Sequence, residues 1–351
     1  MIRVALLDPT LHAAFDAYVA DHPHASVFHT RAWLDNACAA LAAEPRTFVA
    51  CDGDAVVGAL PAARLASPLG GARLVSIPFC RYLPVLASDA DTVSALVETA
   101  RRDARALGCR YLELRSGPLA SAPAGAVSRH HFDNWSIDLA GGEAACWARL
   151  HPRSTRRAIR FAERHGVEVR RVSTPEGYRI LTGLDAMTRR RQGVPRHPAA
   201  FLRGLGERFE PSDQALLLIA VRDGEAVAAE LALRHRSTWH GILGVDGRAG
   251  TTTWRASTLL LWEAIRHAIR TGAERFDLGP AHRGNAGLTA FKRRFGALAT
   301  PADTLTFALA GRARDAARID APWIRAARWA LRTLPPPLHG AVSPLLVAEV
   351  A

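Results

Sequence analysis

The sequence predicts an α/β (α+β) protein made of two tandem domains with mixed sheets, followed by a helical tail. Two repeated patterns carry the prediction. An apolar strand, Asp-Gly, an acidic residue and a second apolar strand occur in RTFVACDGDAVVGALPAARL (46–65) and again in LLLIAVRDGEAVAAELALRH (216–235). Asp-Gly between such runs signals a hairpin. A helix closed by glycine and followed by a strand also occurs twice, in VETARRDARALGCRYLELRSG (97–117) and LWEAIRHAIRTGAERFDLGPA (261–281). Gly108 and Gly272 are the stops. Both pairs run in the same order at nearly the same spacing, which argues for a duplicated unit. Glu113 and Asp277 then fall in matching places. The predicted domains are 1–145, 146–310 and a basic tail, 311–351.

The remaining elements follow in order. HPRSTRRAIRFAERHG (151–166) has a Ser/Thr start, Ala158, Ile159 and Ala162 on one side and a glycine stop, and predicts a short basic helix. The strand VEVRRV, a helix from Pro175 to about Thr188, a basic loop RRRQGVPRHP (189–198) and the helix AAFLRGLGERF lead into the second hairpin. A third strand, TWHGILGVD (238–246), precedes the helix with Leu259–Ile269, and a last strand lies near TLTFAL (304–309). The tail RARDAARIDAPWIRAARWALRTL predicts a basic helix bearing Trp323 and Trp329, broken near Pro322 and ended by PPP. It either rests on a membrane surface or packs on the body.

Composition narrows the function classes. Apolar residues make up 49% and charged residues 22% of the 351-residue chain, a core-forming mixture. No apolar run reaches the roughly 18 residues of a membrane span. The start, MIRVALLDPT, has neither a long apolar region nor a cleavage site, so no signal peptide is expected. Five cysteines, spread singly at 38, 51, 80, 109 and 146, point to buried reduced thiols in a cytoplasmic protein and away from a metal site. The formal charge of +12 suits a polyanionic partner, nucleic acid, nucleotide phosphate or an anionic membrane. Alternatively, it reflects an arginine-rich, alanine-rich bias with no partner at all.

One cation stands apart. Lys292, in AFKRRFGA (290–297), is the chain's single lysine among 45 Lys and Arg residues. Where Arg replaces Lys freely, a surviving Lys marks a place where a compact ammonium and a planar fork are not equivalent.

The order of elements resembles the GNAT acyltransferase fold used twice, as in the FemAB/FemX-like peptidyltransferases and their BioF2/CelD-like relatives. The resemblance spans roughly residues 25–310. It is most specific in ERFDLGPAHRGNAGLTAFKRRFGA (274–297), which is similar to the family's C-terminal signature: a strand ending Asp-x-Gly, a short loop, then Phe-Lys-x-x-aromatic-Gly. SVFHTRAWLDNA (26–37), PFCRYLPVL (78–86) and HPRSTRRAIRFAERHGVEV (151–169) resemble its N-terminal helix, mid-domain segment and second-domain start. The resemblance implies transfer of an acyl or aminoacyl group to an amine without a cofactor or metal. It places Phe291 and Lys292 at the reaction centre. The donor is aminoacyl-tRNA in FemX-like members and an acyl-CoA in the BioF2/CelD-like branch.

Aminolysis of an ester or thioester develops an oxyanion, and a fixed cation beside it contributes about 3 kcal/mol. Lys292 fits that role. Asp277 either takes the amine proton or caps the following loop. No covalent nucleophile has a recognisable context. The stretch GRAGTTTWRASTLLLW (247–262) lacks the R/Q-x-x-G-x-G/A spacing of a CoA pyrophosphate loop; Arg248 with Gly250 is out of register.

Arg153, Arg156, Arg157 and Arg160 are candidate tRNA or phosphate contacts. Arg191, His197, His240, Asp246, Trp254, Asn285 and Arg293 are candidate substrate contacts, with Trp254 suited to stacking on a base. Three readings remain: an aminoacyl-tRNA-dependent transferase acting on a peptide or small-molecule amine, an acyl-CoA-dependent N-acyltransferase, and a catalytically dead RNA- or membrane-associating module.

Overall fold

A computed structural model describes residues 2–67, 70–80, 82–116, 124–247, 253–310 and 322–350. The chain forms two compact units. The first holds residues 1–132, 301–324 and 345–351, and the second holds 133–300 and 325–344.

The first unit opens with β1 (Arg3–Leu6), α1 (His12–Asp21) and α2 (Arg31–Leu41), then β2 (Glu44–Pro45), β3 (Phe48–Asp52), β4 (Ala55–Leu60), β5 (Ala62–Ser67), β6 (Gly71–Ser76), β7 (Leu86–Ala87), α3 (Ala90–Ala106), β8 (Tyr111–Ser116) and β9 (Ala126–Asp138), which runs on into the second unit. Strands β1, β3, β4 and β7 form one antiparallel sheet. In a second group β5 pairs antiparallel with β2 and β6, and β6 pairs parallel with β8. Helix α3 covers the core of Phe48, Leu74, Leu96, Leu112 and Phe307.

The second unit continues with α4 (Gly142–Arg149), α5 (Arg157–Arg164), β10 (Glu168–Arg171), α6 (Pro175–Gln192), α7 (Ala199–Phe209), β11 (Ala215–Arg222), β12 (Glu225–His235), β13 (Thr238–Asp246), α8 (Ala256–Arg270), β14 (Arg275–His282) and α9 (Ala286–Arg294); β15 (Leu298–Ala308) then returns the chain to the first unit. Strands β10 to β13 are antiparallel neighbours, and β14 joins β13 in parallel. Successive residues of β11 face opposite sides. Leu216, Leu218 and Ala220 pack in the cluster with α8, whereas Leu217 approaches Gly177 of α6. A strand covered on both faces has to be apolar throughout, which explains the unbroken run LLLIAV.

The duplicated plan is visible in detail. Both hairpins carry a register irregularity at the same place, between Ala50 and Cys51 in β3 and between Ala220 and Val221 in β11. The Asp-Gly pairs are offset by one residue. Asp52 closes β3 against Ala55, whereas Arg222 closes β11 against Glu225 and Asp223 enters the turn. Glu113 pairs with Val75 and Asp277 with His240, each at the end of its parallel ladder.

The basic segment 189–198 is not a loop throughout. Helix α6 runs to Gln192 and is ended by Gly193 in the left-handed region (φ 68°), so Arg189, Arg190 and Arg191 form its last turn. Cations there offset the helix dipole. The single helix expected over 151–166 is instead a π turn, Pro152–Arg156, leading into α5. Thr155 Oγ1 there donates to the carbonyl of Arg294. AFKRR is helical and belongs to α9, with Phe295 as its C-cap.

After the last strand come α10 (Pro322–Thr333) and α11 (Pro336–Val350); residues 311–321, where the tail helix was expected to begin, lie outside the described residues. The tail packs through Leu331, His339, Ser343 and Val347. Arg196 N–H donates to Ser343 Oγ, and Arg73 holds the far end of α11 through the carbonyl of Ala348. Trp329, Leu338 and Leu345 stay exposed. No helix among the described residues is long and apolar enough to cross a membrane. All five cysteines are buried.

Candidate active site

The parallel ladder between β13 and β14 covers three pairs, Thr238–His240 against Arg275–Asp277, and stops. Beyond it a cavity of about 380 Å³ opens. Its walls are Gly241–Gly244 and Asp246 of β13, Glu230 of β12, Leu278 and Pro280 of β14, Ser257 and Leu261 of α8, and Leu288, Phe291 and Lys292 of α9.

Lys292 is 5% exposed. Asn285 starts its helix by accepting from the Leu288 N–H at 3.1 Å, a side-chain N-cap. Two residues before the helix ends, the lysine reaches back to β14. Its Nζ donates to the carbonyls of Leu278 (2.9 Å), Gly279 (2.7 Å) and Pro280 (3.1 Å). An ammonium has three hydrogens, and all three are committed here. Burial pushes its pKa down to about 8, against the opposing pull of Asp277 and Glu230. An arginine fork has no geometry for three converging carbonyls.

Glu230 projects from the middle of an apolar strand. Its neighbours across the ladder are small, because a Cβ on Gly244 would stand 2.7 Å from Glu230 Oε2 and one on Gly241 3.5 Å from Oε1. No hydrogen-bond donor among the described residues reaches its carboxylate, and the half-buried residue lines the cavity. Burial therefore pushes its pKa up to about 7, with the Lys292 charge pulling the other way. The sequence reading passed over Glu230. A lone acid inside VAAELALRH was the available signal, since an unpaired charge in a buried strand is costly unless it is used.

Asp277 is half-buried and fully engaged. Its Oδ2 accepts from His240 Nδ1 at 3.1 Å, and its Oδ1 accepts from Gly279 N–H at 2.8 Å and Asn134 Nδ2 at 3.1 Å. Burial raises its pKa, but these bonds outweigh burial and hold it below the usual carboxylate range. Asp277 fixes the strand end and does not line the cavity. The first unit handles the same point differently. Where β14 has Gly279, with nothing closer than 3.8 Å to a built Cβ, β8 has Arg115. That buried guanidinium bonds to Glu113 Oε1 at 2.8 Å and to the Cys80 carbonyl.

Residues 150–293 match the family described as Acetyltransferase (GNAT) domain. That span contains the whole cavity lining. This segment carries a GNAT acyltransferase domain, and the chain has a FemX-like fold. Among solved structures, a crystal structure of FemX aligns with a TM-score of 0.69 at 12% identity, covering 87% of this chain and 97% of that one. L-PGS from Bacillus licheniformis aligns at 0.55 and 14%, covering 93% and 96%. A tandem GNAT protein from the clavulanic acid biosynthesis pathway aligns at 0.54 and 15%, covering 89% and 100%. At these identities the likeness is one of fold. No curated protein matches the chain by sequence.

The other candidate residues of the acyltransferase divide by location. Asp246 lines the cavity and is held by Arg191 and, at 3.4 Å, by Ser257 Oγ. Phe291 lines it too, its ring 5.1 Å from that of buried Phe295. His197 is drawn elsewhere, to buried Asp185, through Nδ1 and its N–H, both at 2.9 Å. Trp254 packs against the core cluster with Arg222 stacked 4.9 Å from its ring. Arg293 lies 5.9 Å from the Trp135 ring. Arg156 and Arg160 flank Trp147 at 5.9 and 5.6 Å, and Arg156 also donates to the carbonyls of Trp147 and Ala148. Arg153 and Arg157 are exposed. Arg248 and Gly250 lie outside the described residues.

Proposed function

We propose that this acyltransferase moves an aminoacyl group from aminoacyl-tRNA to an amine of a peptide or small-molecule acceptor, in the cytoplasm, and that the chemistry lies in the domain 146–310. The observation that carries this reading is the buried Lys292 ammonium beside Phe291 in a cavity where two parallel strands part. The acceptor amine attacks the ester carbonyl, the carbonyl oxygen takes the negative charge, and the ribose oxygen leaves with a proton. Lys292 acts on that sequence as a fixed positive charge. With its hydrogens given to three carbonyls, it needs no reorganisation when the oxyanion forms. Phe291 supplies an apolar wall that excludes water and strengthens that charge. Asp277 and His240 act as positioning residues, locking the strand end that Lys292 grips. Exposed Arg153 and Arg157 on the basic segment suit a tRNA backbone, and the exposed Trp329 and Leu345 of the tail suit a peripheral membrane contact.

One observation favours the acyl-CoA reading. Helix α8 begins at Ala256 with no side-chain N-cap, and Ser257 in its first turn lines the cavity. Such a helix start attracts phosphate. A thermal-shift comparison of charged tRNA, CoA and acetyl-CoA tests both readings. Stabilisation by charged tRNA that disappears with RNase, and none with CoA, is the expected result; the reverse pattern overturns the tRNA reading.

A further inference from the structure

Resting on the transferase reading and narrowing its substrate, we propose that the cavity is an ammonium site: Glu230 receives a primary amine of the substrate, with Asp246 marking the same acidic wall. The argument begins with what Glu230 lacks. The neighbouring acids have counterparts: Asp277 has three donors, and Asp246 has Arg191 and Ser257. Glu230 has no hydrogen-bond donor among the described residues; it is half-buried and lines the cavity.

Lys292 does not fill the gap. Its three hydrogens go to Leu278, Gly279 and Pro280. The place is also built for the carboxylate, since a side chain at position 244 would collide with Oε2 at 2.7 Å. A carboxylate held in an apolar cavity without a donor is costly, and a ligand ammonium removes that cost by supplying up to three hydrogens. Leu261 and Phe291 leave the rest of the cavity apolar, suited to the carbon skeleton that carries the amine. A plain acyl group or an N-blocked amine offers Glu230 nothing.

Two sources supply this chemistry, the α-ammonium of an aminoacyl donor and the amine of the acceptor. Leucinamide imitates the first and 3-methylbutylamine the second; N-acetyl-leucinamide keeps the skeleton and lacks the charge. Binding of each to the full-length protein and to Glu230→Gln is read by ligand-observed NMR. A hydrogen-bonded charge contact supports at least about a tenfold preference for an amine over the N-acetyl compound. The expected result is that preference in the wild type and its loss in Glu230→Gln, with the far-ultraviolet circular dichroism unchanged. The tighter of the two amines identifies the source. Equal binding of the N-acetyl compound, or a preference that survives Glu230→Gln, overturns the proposal. Asp246→Asn is the second variant and is expected to weaken amine binding less than Glu230→Gln does. An amine preference without any response to charged tRNA defeats the donor assignment and leaves the ammonium site standing. Transfer from charged tRNA without an amine preference does the opposite.

Discussion

Replacing Lys292 with methionine keeps the length of the side chain and deletes its ammonium. Three consecutive carbonyls, at 278, 279 and 280, then lose their donors. At about 2 kcal/mol for each orphaned buried acceptor, the loss is about 6 kcal/mol. Removing the buried charge offsets part of this. The fall of the lysine pKa from 10.5 to about 8 corresponds to a burial cost of about 3 kcal/mol. The net destabilisation is therefore about 3 kcal/mol, or about 6–12 °C in the melting temperature of a unit this size. Calorimetry of the wild type and Lys292→Met reads the difference directly. Lys292→Arg keeps the charge but has no fork geometry for the three carbonyls, so its melting temperature also falls. A Lys292→Met protein that melts with the wild type refutes the carbonyl cage as a structural element.

Glu230→Gln gives a pH-dependent difference. The folded carboxyl keeps its proton to about pH 7, while the ordinary value is 4.5, so its stabilising contribution is full below about 4.5 and is lost as pH rises to 7. Relative to Glu230→Gln, the wild type should lose about 3 kcal/mol across that window; parallel stability curves contradict the burial of this acid. Gly244→Ala puts a methyl group 2.7 Å from Glu230 Oε2, and displacing a reacting or binding group by about 1 Å costs about 100-fold in turnover, with little change in melting; unchanged turnover contradicts the placement. Asp277→Asn turns one acceptor toward His240 into a donor, and denaturant unfolding should register a loss of about 1–3 kcal/mol.

The legible parts of the chain were those set by local chemistry. The two Asp-Gly hairpins, the helix–glycine–strand units and the mixed α/β class followed from turn residues and periodicity. The one-residue offset between the hairpins did not, because a register shift is decided by pairing across strands. Arg189–Arg191 read as a loop because charge is a weak sign of helix, whereas the left-handed Gly193 beyond them was the true stop. Lys292 stood out by its rarity, although the sequence held no hint that three carbonyls would claim its hydrogens. Glu230 was hidden for a physical reason: its importance comes from the glycines of the next strand and from a cavity formed where β13 and β14 part.

The central claim is that acyl transfer takes place in the cavity around Lys292. Single-turnover transfer of a labelled amino acid from charged tRNA to an amine acceptor, measured for the wild type and for Lys292→Arg below its melting temperature, tests it most directly. The account predicts a fall of about 100-fold or more, with the wild-type signal removed by RNase. Undiminished transfer by Lys292→Arg contradicts it.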